Sequence, residues 1–344
     1  MQTKKVAING AGRIGRAFYK LAHTRPEFEI VAINDLGDID NIAYLLKFDS
    51  VYGQSKIDIK VKTDKSALII DGKEVKFLSE KDAVNLPWKA LDIDVVVEST
   101  GFYTKYALAK AHLDAGAKRV VVTAPMKDEP IDGVEGATVL MGINEEKLST
   151  CLITSNASCT TNAASPVLAI LDEALGVEKA ILNTVHSYTA SQSIVDGPNK
   201  KDYREGRAAA QNIVPSSTGA AIAVSKALTQ LEGKFDGISI RVPTIIGSIA
   251  DITFISKRDT TVEEINKILT DASHTDRWKD IFEVTSEQIV SSDVRDSAHA
   301  SIADLSFTRV VGGNLVKVLA WYDNEMGYTH TLVDHVVKLS ESIK

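Results

Sequence analysis

The sequence has 344 residues, of which 44% are hydrophobic and 25% charged, and its formal net charge is −7. This length exceeds what a single hydrophobic core usually holds, so it predicts two domains. The negative charge argues against broad binding of nucleic acid, but it leaves room for a local cationic pocket that takes a small anion. No stretch approaches the ~20 apolar residues of a membrane span, and we expect no secretory signal because MQTKKVAING contains no long apolar segment.

The two cysteines, Cys151 and Cys159, lack the spacing of a zinc site. Two thiols form at most one disulfide, and free thiols are typical of a reducing compartment. We therefore expect a cytoplasmic protein without a bound metal. Cys151 begins an apolar strand pattern and is predicted to lie in the core.

The first elements form a strand, a glycine turn and a helix. KKVAING predicts the strand, and IGRAFYKLAHT predicts an amphipathic helix. Between them GAGRIG places Gly10, Gly12 and Gly15 in the spacing G-x-G-x-x-G. The first glycine allows a tight turn, the second lets the backbone approach a pyrophosphate, and the third lets helix and strand pack closely. The helix N-terminus supplies N–H groups and partial positive charge for the phosphates.

A second strand pattern, EIVAIND, ends at Asp35. A carboxylate about 20 residues beyond the glycine turn is placed to accept hydrogen bonds from a ribose diol. It would repel a 2′-phosphate, so the sequence favours NAD over NADP. Leu36 and Gly37 follow directly and leave room near the ribose, so a minor use of NADP stays open.

The alternation of strands and helices continues with DIDVVVEST, TKYALAKAHLDAGAK, RVVVTAP and CLITSN. Repeated β-α-β units with strands rich in Val and Ile predict a parallel, doubly wound sheet. Small polar residues at the carboxyl ends of such strands, here Ser99, Thr100 and Thr123, often line a nucleotide crevice. The same residues are equally typical of strand-to-helix caps, and both interpretations stay open.

The segment SNASCTTNAASPVLAILDEAL predicts that Cys159 lies in the first turn of a helix, because Ser155, Asn156 and Ser158 are capping types. Free N–H groups and the helix dipole favour a thiolate there, so we expect a lowered thiol pKa. A nucleophilic thiolate needs an acid/base partner, and His186 ends the next strand pattern, which runs back toward the helix N-terminus. Four other histidines lie on helical patterns with mixed neighbours and are predicted at the surface: His23, His112, His330 and His335.

Six segments occur in order along the whole chain: GAGRIG with Asp35, SNASCTTN, HSYT, GRAAAQNIVPSSTGAA, IRVP and YDNEMGY. Together they resemble the phosphorylating glyceraldehyde-3-phosphate dehydrogenase family. The resemblance implies an α/β fold with an N-terminal NAD-binding Rossmann domain, a doubly wound parallel sheet over residues 1–158 that the C-terminal helix 324–344 completes. It implies an α+β catalytic domain with a mostly antiparallel sheet over 159–323. It also implies a cytoplasmic homotetramer that works in glycolysis and gluconeogenesis.

The resemblance further implies a reaction on D-glyceraldehyde 3-phosphate. Cys159 attacks the aldehyde, His186 takes a proton as hydride passes to NAD, and inorganic phosphate cleaves the thioester to 1,3-bisphosphoglycerate. The implied cofactor-binding residues are Asn9, Gly10, Gly12, Arg13, Ile14, Gly15, Asp35, Ser99, Thr100, Gly101, Thr123, Asn324 and Tyr328. The implied phosphate-binding residues are Thr189 and Arg241 for the substrate, and Ser158, Thr160, Thr218 and Gly219 for the attacking phosphate.

The chain departs from the family pattern in DYREGRAAA, where Glu205 stands in place of an arginine that helps to bind the attacking phosphate. We expect the phosphorylating reaction to be retained with an altered phosphate site, either in a rearranged loop or with a nearby cation in compensation. The cations in reach along the sequence are Lys200, Lys201, Arg204 and Arg207. Ala163 and Met326 replace a second cysteine and a tryptophan that are common in the family.

Three other functions compete with this interpretation. Erythrose-4-phosphate dehydrogenase shares the cysteine and histidine but generally lacks HSYT, so Thr189 argues against it. Acyl-phosphate reductases do not carry SNASCTTN with IRVP. A non-catalytic NAD-binding protein would not need the full set of Cys159, His186, Thr189, Arg241 and Asn324.

Overall fold

The computed structural model describes residues 3–200 and 202–343. These residues form eight α-helices and eighteen strands. The helices are α1 (Arg13–Ala22), α2 (Ile39–Lys47), α3 (Trp88–Leu91), α4 (Tyr106–Asp114), α5 (Cys159–Leu175), α6 (Ala220–Ala227), α7 (Val262–Ser273) and α8 (Met326–Ser342). Short 3₁₀ helices cover Ala83–Asn85, Glu145–Ser149, Tyr203–Gly206 and Thr229–Leu231. Over the described ranges, no helix is both long enough and apolar enough to cross a bilayer.

The first eleven strands are β1 (Lys4–Asn9), β2 (Phe28–Asn34), β3 (Phe48–Asp49), β4 (Gly53–Gln54), β5 (Ile59–Val61), β6 (Ala67–Ile70), β7 (Lys73–Leu78), β8 (Val95–Glu98), β9 (Arg119–Val122), β10 (Gly136–Thr138) and β11 (Ile153–Ser155). The other seven are β12 (Val177–Ser187), β13 (Val214–Ser217), β14 (Phe235–Val242), β15 (Ser248–Ser256), β16 (Phe282–Thr285), β17 (Ser301–Val311) and β18 (Leu315–Tyr322). The chain divides into two compact units, one of Met1–Ala157 with Thr329–Lys344 and the other of Ser158–Tyr328.

The first unit is built on a nine-stranded sheet in the order β10-β11-β9-β8-β1-β2-β7-β6-β5. Neighbouring strands run parallel from β10 to β7, and only the hairpins at the β5 edge are antiparallel. Val95, Val96 and Val97 point alternately to the two faces, and all three are 0% exposed. A sheet covered on both faces explains why its central strands are continuous apolar runs. The carboxyl ends of β1, β2 and β8 therefore meet at one edge, where ligands bind such sheets.

The second unit is built on a seven-stranded sheet in the order β13-β14-β12-β15-β18-β17-β16. Its pairs are antiparallel except for β12–β14 and β16–β17, which are parallel. Helices α5 and α7 pack against this sheet. Thr261 caps α7, because its Oγ1 accepts a hydrogen bond from the backbone N–H of Glu264. The predicted fold class, a parallel Rossmann sheet followed by a mostly antiparallel catalytic sheet, is confirmed.

The surface position predicted for His112 and His335 is wrong, because both side chains are 0% exposed. The ring nitrogens of His335 contact Thr154 Oγ1 at 2.8 Å and Asn156 Oδ1 at 3.1 Å. Hydrogen bonds at both nitrogens let an imidazole lie in a core without an unpaired polar atom. His23 and His330 are half-buried. A helical pattern with mixed neighbours does not reveal such partners, because they come from distant strands.

Candidate active site

The glycine turn has the geometry that its spacing predicts. Gly10 has φ +100°, and a Cβ there would lie 2.8 Å from the carbonyl carbon of Ser99. A Cβ at Gly15 would lie 2.0 Å from the carbonyl oxygen of Gly10, so only glycine allows α1 to approach the turn. Gly12 is the N-cap of α1 and makes no side-chain cap, and a Cβ there would point into open space. The first N–H groups of α1 therefore face outward beside a backbone that a ligand can approach.

A cavity of about 410 Å³ opens beside this turn, within the first unit. Six of the predicted cofactor residues line it: Asn9, Gly10, Gly12, Asp35, Ser99 and Thr100. The rest of its lining is Asn34, Leu36, Glu80, Lys81, Asp82, Phe102 and Tyr103. Five other predicted cofactor residues of this unit lie outside the lining: Arg13, Ile14, Gly15, Gly101 and Thr123. Leu36 and Phe102 are exposed apolar side chains on its wall, which suits the flat faces of a base.

Asp35 is held rigidly at the edge of this cavity. Its Oδ2 accepts a hydrogen bond from the backbone N–H of Ala11 at 2.7 Å, and its Oδ1 accepts one from Gly37 at 2.7 Å. Each carboxylate oxygen has a further lone pair, so the group still accepts hydrogen bonds from a diol. The hydroxyl of Ser99 is engaged inside the turn, because it donates to the carbonyl oxygen of Gly10 at 2.6 Å.

In the second unit, the structure brings Cys159 and His186 together. Cys159 is the first residue of α5, and Ser158 caps that helix by accepting a hydrogen bond from the backbone N–H of Thr161 at 3.1 Å. His186 lies at the end of β12, and its Nε2 is 3.4 Å from Sγ of Cys159. A sulfur at a helix N-terminus beside an imidazole is the arrangement of an activated thiol nucleophile. Cys151, by contrast, is buried, as predicted.

The electrostatics of this pair differ from the prediction. Burial raises the pKa of the Cys159 thiol, so the lowered value expected from the helix N-terminus is wrong for the free protein. The charge of Arg241 and hydrogen bonds from Thr160 oppose that rise in pKa. Burial, followed by the charge of Arg241, lowers the pKa of His186 to about 3. At neutral pH the resting pair is therefore a thiol facing a neutral imidazole.

The other side of the His186 ring is crowded. Nδ1 lies 2.7 Å from the carbonyl oxygen of Ser187 and 2.7 Å from Nη1 of Arg241. Arg241 lies on β14, where it pairs in register with His186. Its Nε is buried and has no hydrogen-bond partner among the described residues. A buried guanidinium N–H without a partner is costly unless a ligand supplies an acceptor, so it marks a place for an anion.

The remaining predicted site residues of the second unit occupy varied surroundings. The hydroxyl of Thr160 is buried and lies 3.0 Å from Tyr322 Oη. Thr189 is half-buried and its backbone N–H donates to Gln192, whose own Nε2 is buried without a partner among the described residues. Thr218 and Gly219 lie at the N-terminus of α6. Asn324 accepts a hydrogen bond from Ser248, which orients its amide, and Tyr328 is buried.

Glu205 is half-buried, and its Oε1 accepts a hydrogen bond from Ser216 Oγ at 2.8 Å. Two of the cations expected to compensate for it are already paired. Arg204 Nη2 lies 2.7 Å from Asp202, and Arg207 Nε lies 2.8 Å from Asp196. Lys200 is exposed, and Lys201 lies outside the described residues.

Sequence reasoning overlooked several residues around these sites. Tyr322 Oη contacts Thr160 and Thr184, and its ring lies edge-on to His186 with 5.9 Å between the ring centroids. Glu98 is buried at the end of β8, beside the glycine turn. A carboxylate at the end of the apolar run VVVE was the available signal for Glu98, because charged groups are rarely fully buried unless they are paired.

A glycine turn opening a helix on a parallel sheet, with a carboxylate at the end of the next strand, defines the class of nicotinamide-dependent oxidoreductases. Residues 4–106 match the family described as "Glyceraldehyde 3-phosphate dehydrogenase, NAD binding domain". Residues 158–324 match "Glyceraldehyde 3-phosphate dehydrogenase, C-terminal domain". The chain therefore belongs to the glyceraldehyde-3-phosphate dehydrogenase family.

Individual relatives agree over nearly the full length. The chain is 45% identical over 332 residues to glyceraldehyde-3-phosphate dehydrogenase of Priestia megaterium, which covers 96% of both chains. It is 46% identical over 342 residues to that of Borreliella burgdorferi, covering 97% of this chain and 99% of the relative. It is 43% identical over 339 residues to glyceraldehyde-3-phosphate dehydrogenase 3 of Saccharomyces cerevisiae, with the same coverage. The predicted family, the oxidoreductase class and NAD as cofactor are confirmed.

Proposed function

We propose that this chain performs the phosphorylating oxidation of D-glyceraldehyde 3-phosphate to 1,3-bisphosphoglycerate, with Cys159 as nucleophile and His186 as acid/base. One observation carries the proposal: Sγ of Cys159 lies 3.4 Å from Nε2 of His186 at the N-terminus of α5. The full-length relatives named glyceraldehyde-3-phosphate dehydrogenase do not favour erythrose-4-phosphate dehydrogenase as the alternative.

The free pair begins as a thiol and a neutral imidazole. The thiol proton passes to Nε2 as Sγ bonds to the aldehyde carbon, and the same proton then reaches the former carbonyl oxygen to give a hemithioacetal. His186 next takes the hydroxyl proton while hydride leaves the carbon, and a thioester on Cys159 results. A phosphate oxygen then attacks the thioester carbon, the C–S bond breaks, and the thiolate is released with the acyl phosphate as product. The low pKa of His186, about 3, keeps it available as a base throughout the neutral range.

NAD supplies the hydride acceptor when it is bound. The residues of the first unit fit that group, because Gly12 has no Cβ to block a pyrophosphate and the Asp35 carboxylate retains lone pairs for a ribose diol. We assign the cofactor to the predicted residues that line the cavity, with Arg13, Ile14 and Gly15 contributing the helix N-terminus. Asn324 and Tyr328 are carried over from the family motif for the nicotinamide end.

Two anions need donors in the second unit. For the substrate phosphate we assign Arg241 and Thr189, since the buried Nε of Arg241 and the buried Nε2 of Gln192 lack partners among the described residues. For the attacking phosphate we assign Thr218 and Gly219 at the N-terminus of α6, together with Ser158 and Thr160. The carboxylate of Glu205 makes that second site weaker, because a like charge near a phosphate is repulsive.

We also propose that the chain acts in glycolysis and gluconeogenesis as a cytoplasmic homotetramer. An apolar surface on the second unit supports self-association, since Ile181 on β12 and Ile238 on the adjacent strand β14 are 58% and 52% exposed. Exposed apolar side chains grouped on neighbouring strands are typical of protein–protein interaction surfaces. Light scattering with a mass near four chains would support the tetramer, and a monomer mass would refute it.

The reaction is tested by following NAD reduction with D-glyceraldehyde 3-phosphate while inorganic phosphate is varied from none to excess. We expect sustained turnover that depends on phosphate. A single burst equal to the amount of Cys159, followed by a stall at every phosphate concentration, would mean that acylation works without phosphorolysis. Absence of both sustained turnover and a burst would refute the proposed reaction. The variant Cys159→Ser is the matched control, because it keeps the helix cap and loses the thiolate.

A further inference from the structure

A buried carboxylate that the reaction does not use lies behind the lining of the cofactor cavity, bonded to the lining residues Asn9 and Thr100. Glu98, the last residue of β8, is 1% exposed. Its Oε2 accepts hydrogen bonds from Nδ2 of Asn9 at 2.6 Å and from Nε2 of His112 at 2.9 Å. Its Oε1 accepts from the backbone N–H of Thr100 at 2.8 Å and from the hydroxyl of the same residue. Four donors thus converge on one acceptor group.

The other ring nitrogen of His112 sets the direction of its hydrogen bond to Glu98. The indole Nε1–H of Trp88 donates to Nδ1 of His112 at 3.1 Å, and an indole nitrogen is a donor only. Nδ1 therefore carries a lone pair, and Nε2 carries the proton that it donates to Glu98. The two hydrogen bonds therefore run in one direction, from Trp88 to His112 and from His112 to Glu98. All three side chains are buried, so no water replaces these partners.

The same network continues from Glu98 to the cavity wall. With its Nδ2 held by Glu98, Asn9 presents Oδ1 to Nδ2 of Asn34 at 2.7 Å. Asn34 in turn exchanges hydrogen bonds with the backbone of Glu80, accepting from its N–H at 2.8 Å and donating to its carbonyl at 2.9 Å. Asn9, Asn34, Glu80 and Thr100 all line the cavity. One carboxylate therefore orders two parts of the cavity lining, Asn9 at the end of β1 and Thr100 just after β8.

We propose that Glu98 is a positioning residue of the NAD site, which acts by fixing the orientation of Asn9 and the backbone of Thr100. Its carboxylate can hold these groups because it only accepts hydrogen bonds, and Asn9, His112 and Thr100 all donate to it. An amide of the same shape would turn one N–H group toward Asn9 and His112, or toward Thr100, and a donor would then face a donor. The affected edge of the cavity would rearrange, since a buried donor without an acceptor is costly.

The test is direct titration of NAD into the full-length protein by calorimetry, with wild type compared with Glu98→Gln. We expect NAD affinity to fall about tenfold or more, as for the loss of hydrogen bonds to a buried charged group. KM for NAD rises accordingly, while kcat at saturating NAD stays within about twofold, because Cys159 and His186 are untouched. NAD titration needs no turnover, so failure of the proposed reaction leaves this test intact. Unchanged NAD affinity in Glu98→Gln would overturn the proposal.

A matched control separates positioning from simple loss of stability. Asp304 is a carboxylate of the other unit that is 1% exposed and accepts hydrogen bonds from Trp321 and Ser306. Asp304→Asn makes the same exchange of carboxylate for amide at a site of equal burial. We expect it to lower the unfolding temperature without changing NAD affinity. Equal losses of NAD affinity in Asp304→Asn and Glu98→Gln would show a general structural effect and refute the proposal.

A rescue experiment tests the direction of the hydrogen bonds. Nδ2 of Asn9 lies 3.5 Å from Nε2 of His112, so an aspartate oxygen in its place would accept from that nitrogen. In the double variant Asn9→Asp/Glu98→Gln, the new carboxylate also accepts from the new amide, whose oxygen still serves Thr100, so only the contact of that amide with Nε2 of His112 still joins two donors. The double variant is expected to bind NAD more tightly than either single variant. If Glu98→Gln does not fold, the comparison between the double variant and Asn9→Asp tests the proposal. A folded double variant that binds NAD as weakly as Asn9→Asp would overturn it.

Discussion

Nη1 of Arg241 lies 2.7 Å from Nδ1 of His186, on the side of the ring opposite Cys159. The carbonyl oxygen of Ser187 is equally close to that nitrogen, at 2.7 Å. Nδ1 can donate to the carbonyl or accept from the guanidinium, and in a neutral imidazole this determines whether Nε2 carries a proton. If Nδ1 donates, Nε2 is a base for the thiol. If Nδ1 accepts, Nε2 carries the proton and stabilises the thiolate. Arg241 therefore influences the nucleophile as well as any anion that it binds.

The first prediction concerns the ionisation of the thiol. Because the charge of Arg241 lowers the pKa of Cys159 against the effect of burial, Arg241→Gln should raise that pKa further. The rate of iodoacetamide labelling is measured against pH, since only the thiolate reacts. The profile of Arg241→Gln is expected at higher pH than that of wild type, and Arg241→Lys, which keeps a charge, should lie between them. Cys159→Ser shows the background from buried Cys151, and coincident profiles for wild type and Arg241→Gln would disprove the effect.

The second prediction concerns His186 as the base. His186→Asn removes a proton acceptor 3.4 Å from the sulfur, so kcat should fall by about 10²–10⁴-fold. Since the pKa of His186 is about 3, protonation of this ring does not limit kcat/KM of the wild type above about pH 5. Steady-state rates from pH 5 to 9 test both statements. An acidic limb near pH 6.5 that disappears in His186→Asn would show that the imidazole titrates normally.

The third prediction concerns Glu205. Glu205→Gln removes a negative charge and keeps an oxygen that accepts the hydrogen bond from Ser216. A repulsion of about 1 kcal/mol, the size of two unit charges at ~4 Å in water, corresponds to about a fivefold change in affinity. KM for inorganic phosphate should therefore fall by about fivefold, with KM for the aldehyde unchanged. Glu232→Gln replaces an exposed carboxylate of the same unit and serves as the control. An unchanged phosphate KM in Glu205→Gln would place Glu205 away from that anion.

The sequence predicted the parts of the fold that local chemistry determines. The glycine spacing, the apolar runs and the capping residues act within a few positions, so they located the turn at Gly10 and the start of α5 at Cys159. The pairing of Cys159 with His186 also followed, because a helix and a returning strand bring their ends together. Confirmation of the family and of NAD came from full-length similarity, which combines many such local signals.

The depth of burial of individual side chains and their partners from distant parts of the chain could not be predicted from the sequence. The pKa of Cys159 depends on how deeply the thiol lies and on Arg241, which is far away along the chain. The buried positions of His112 and His335 depend on Glu98, at the end of β8, and Asn156, directly after β11, which meet those helices only in the folded protein. A local sequence pattern shows which residues are neighbours along the chain. Burial and pKa depend instead on which residues are neighbours in the folded protein.

The last prediction concerns stability in acid and uses His335. Burial lowers its pKa in the folded protein to about 3, below the ordinary histidine value of 6.5, so between these values the unfolded chain binds more protons. The contribution of His335 to the free energy of unfolding is therefore fully present above pH 6.5. It is lost as the pH falls toward 3, by at most about 1.4 kcal/mol per pH unit for one such group. His335→Gln should lower stability at pH 7.5 but give a shallower decline below pH 6, measured by urea unfolding across pH. His274→Gln, at an exposed histidine, should leave the decline unchanged. An equally steep decline in His335→Gln and wild type would show that His335 does not carry this proton linkage.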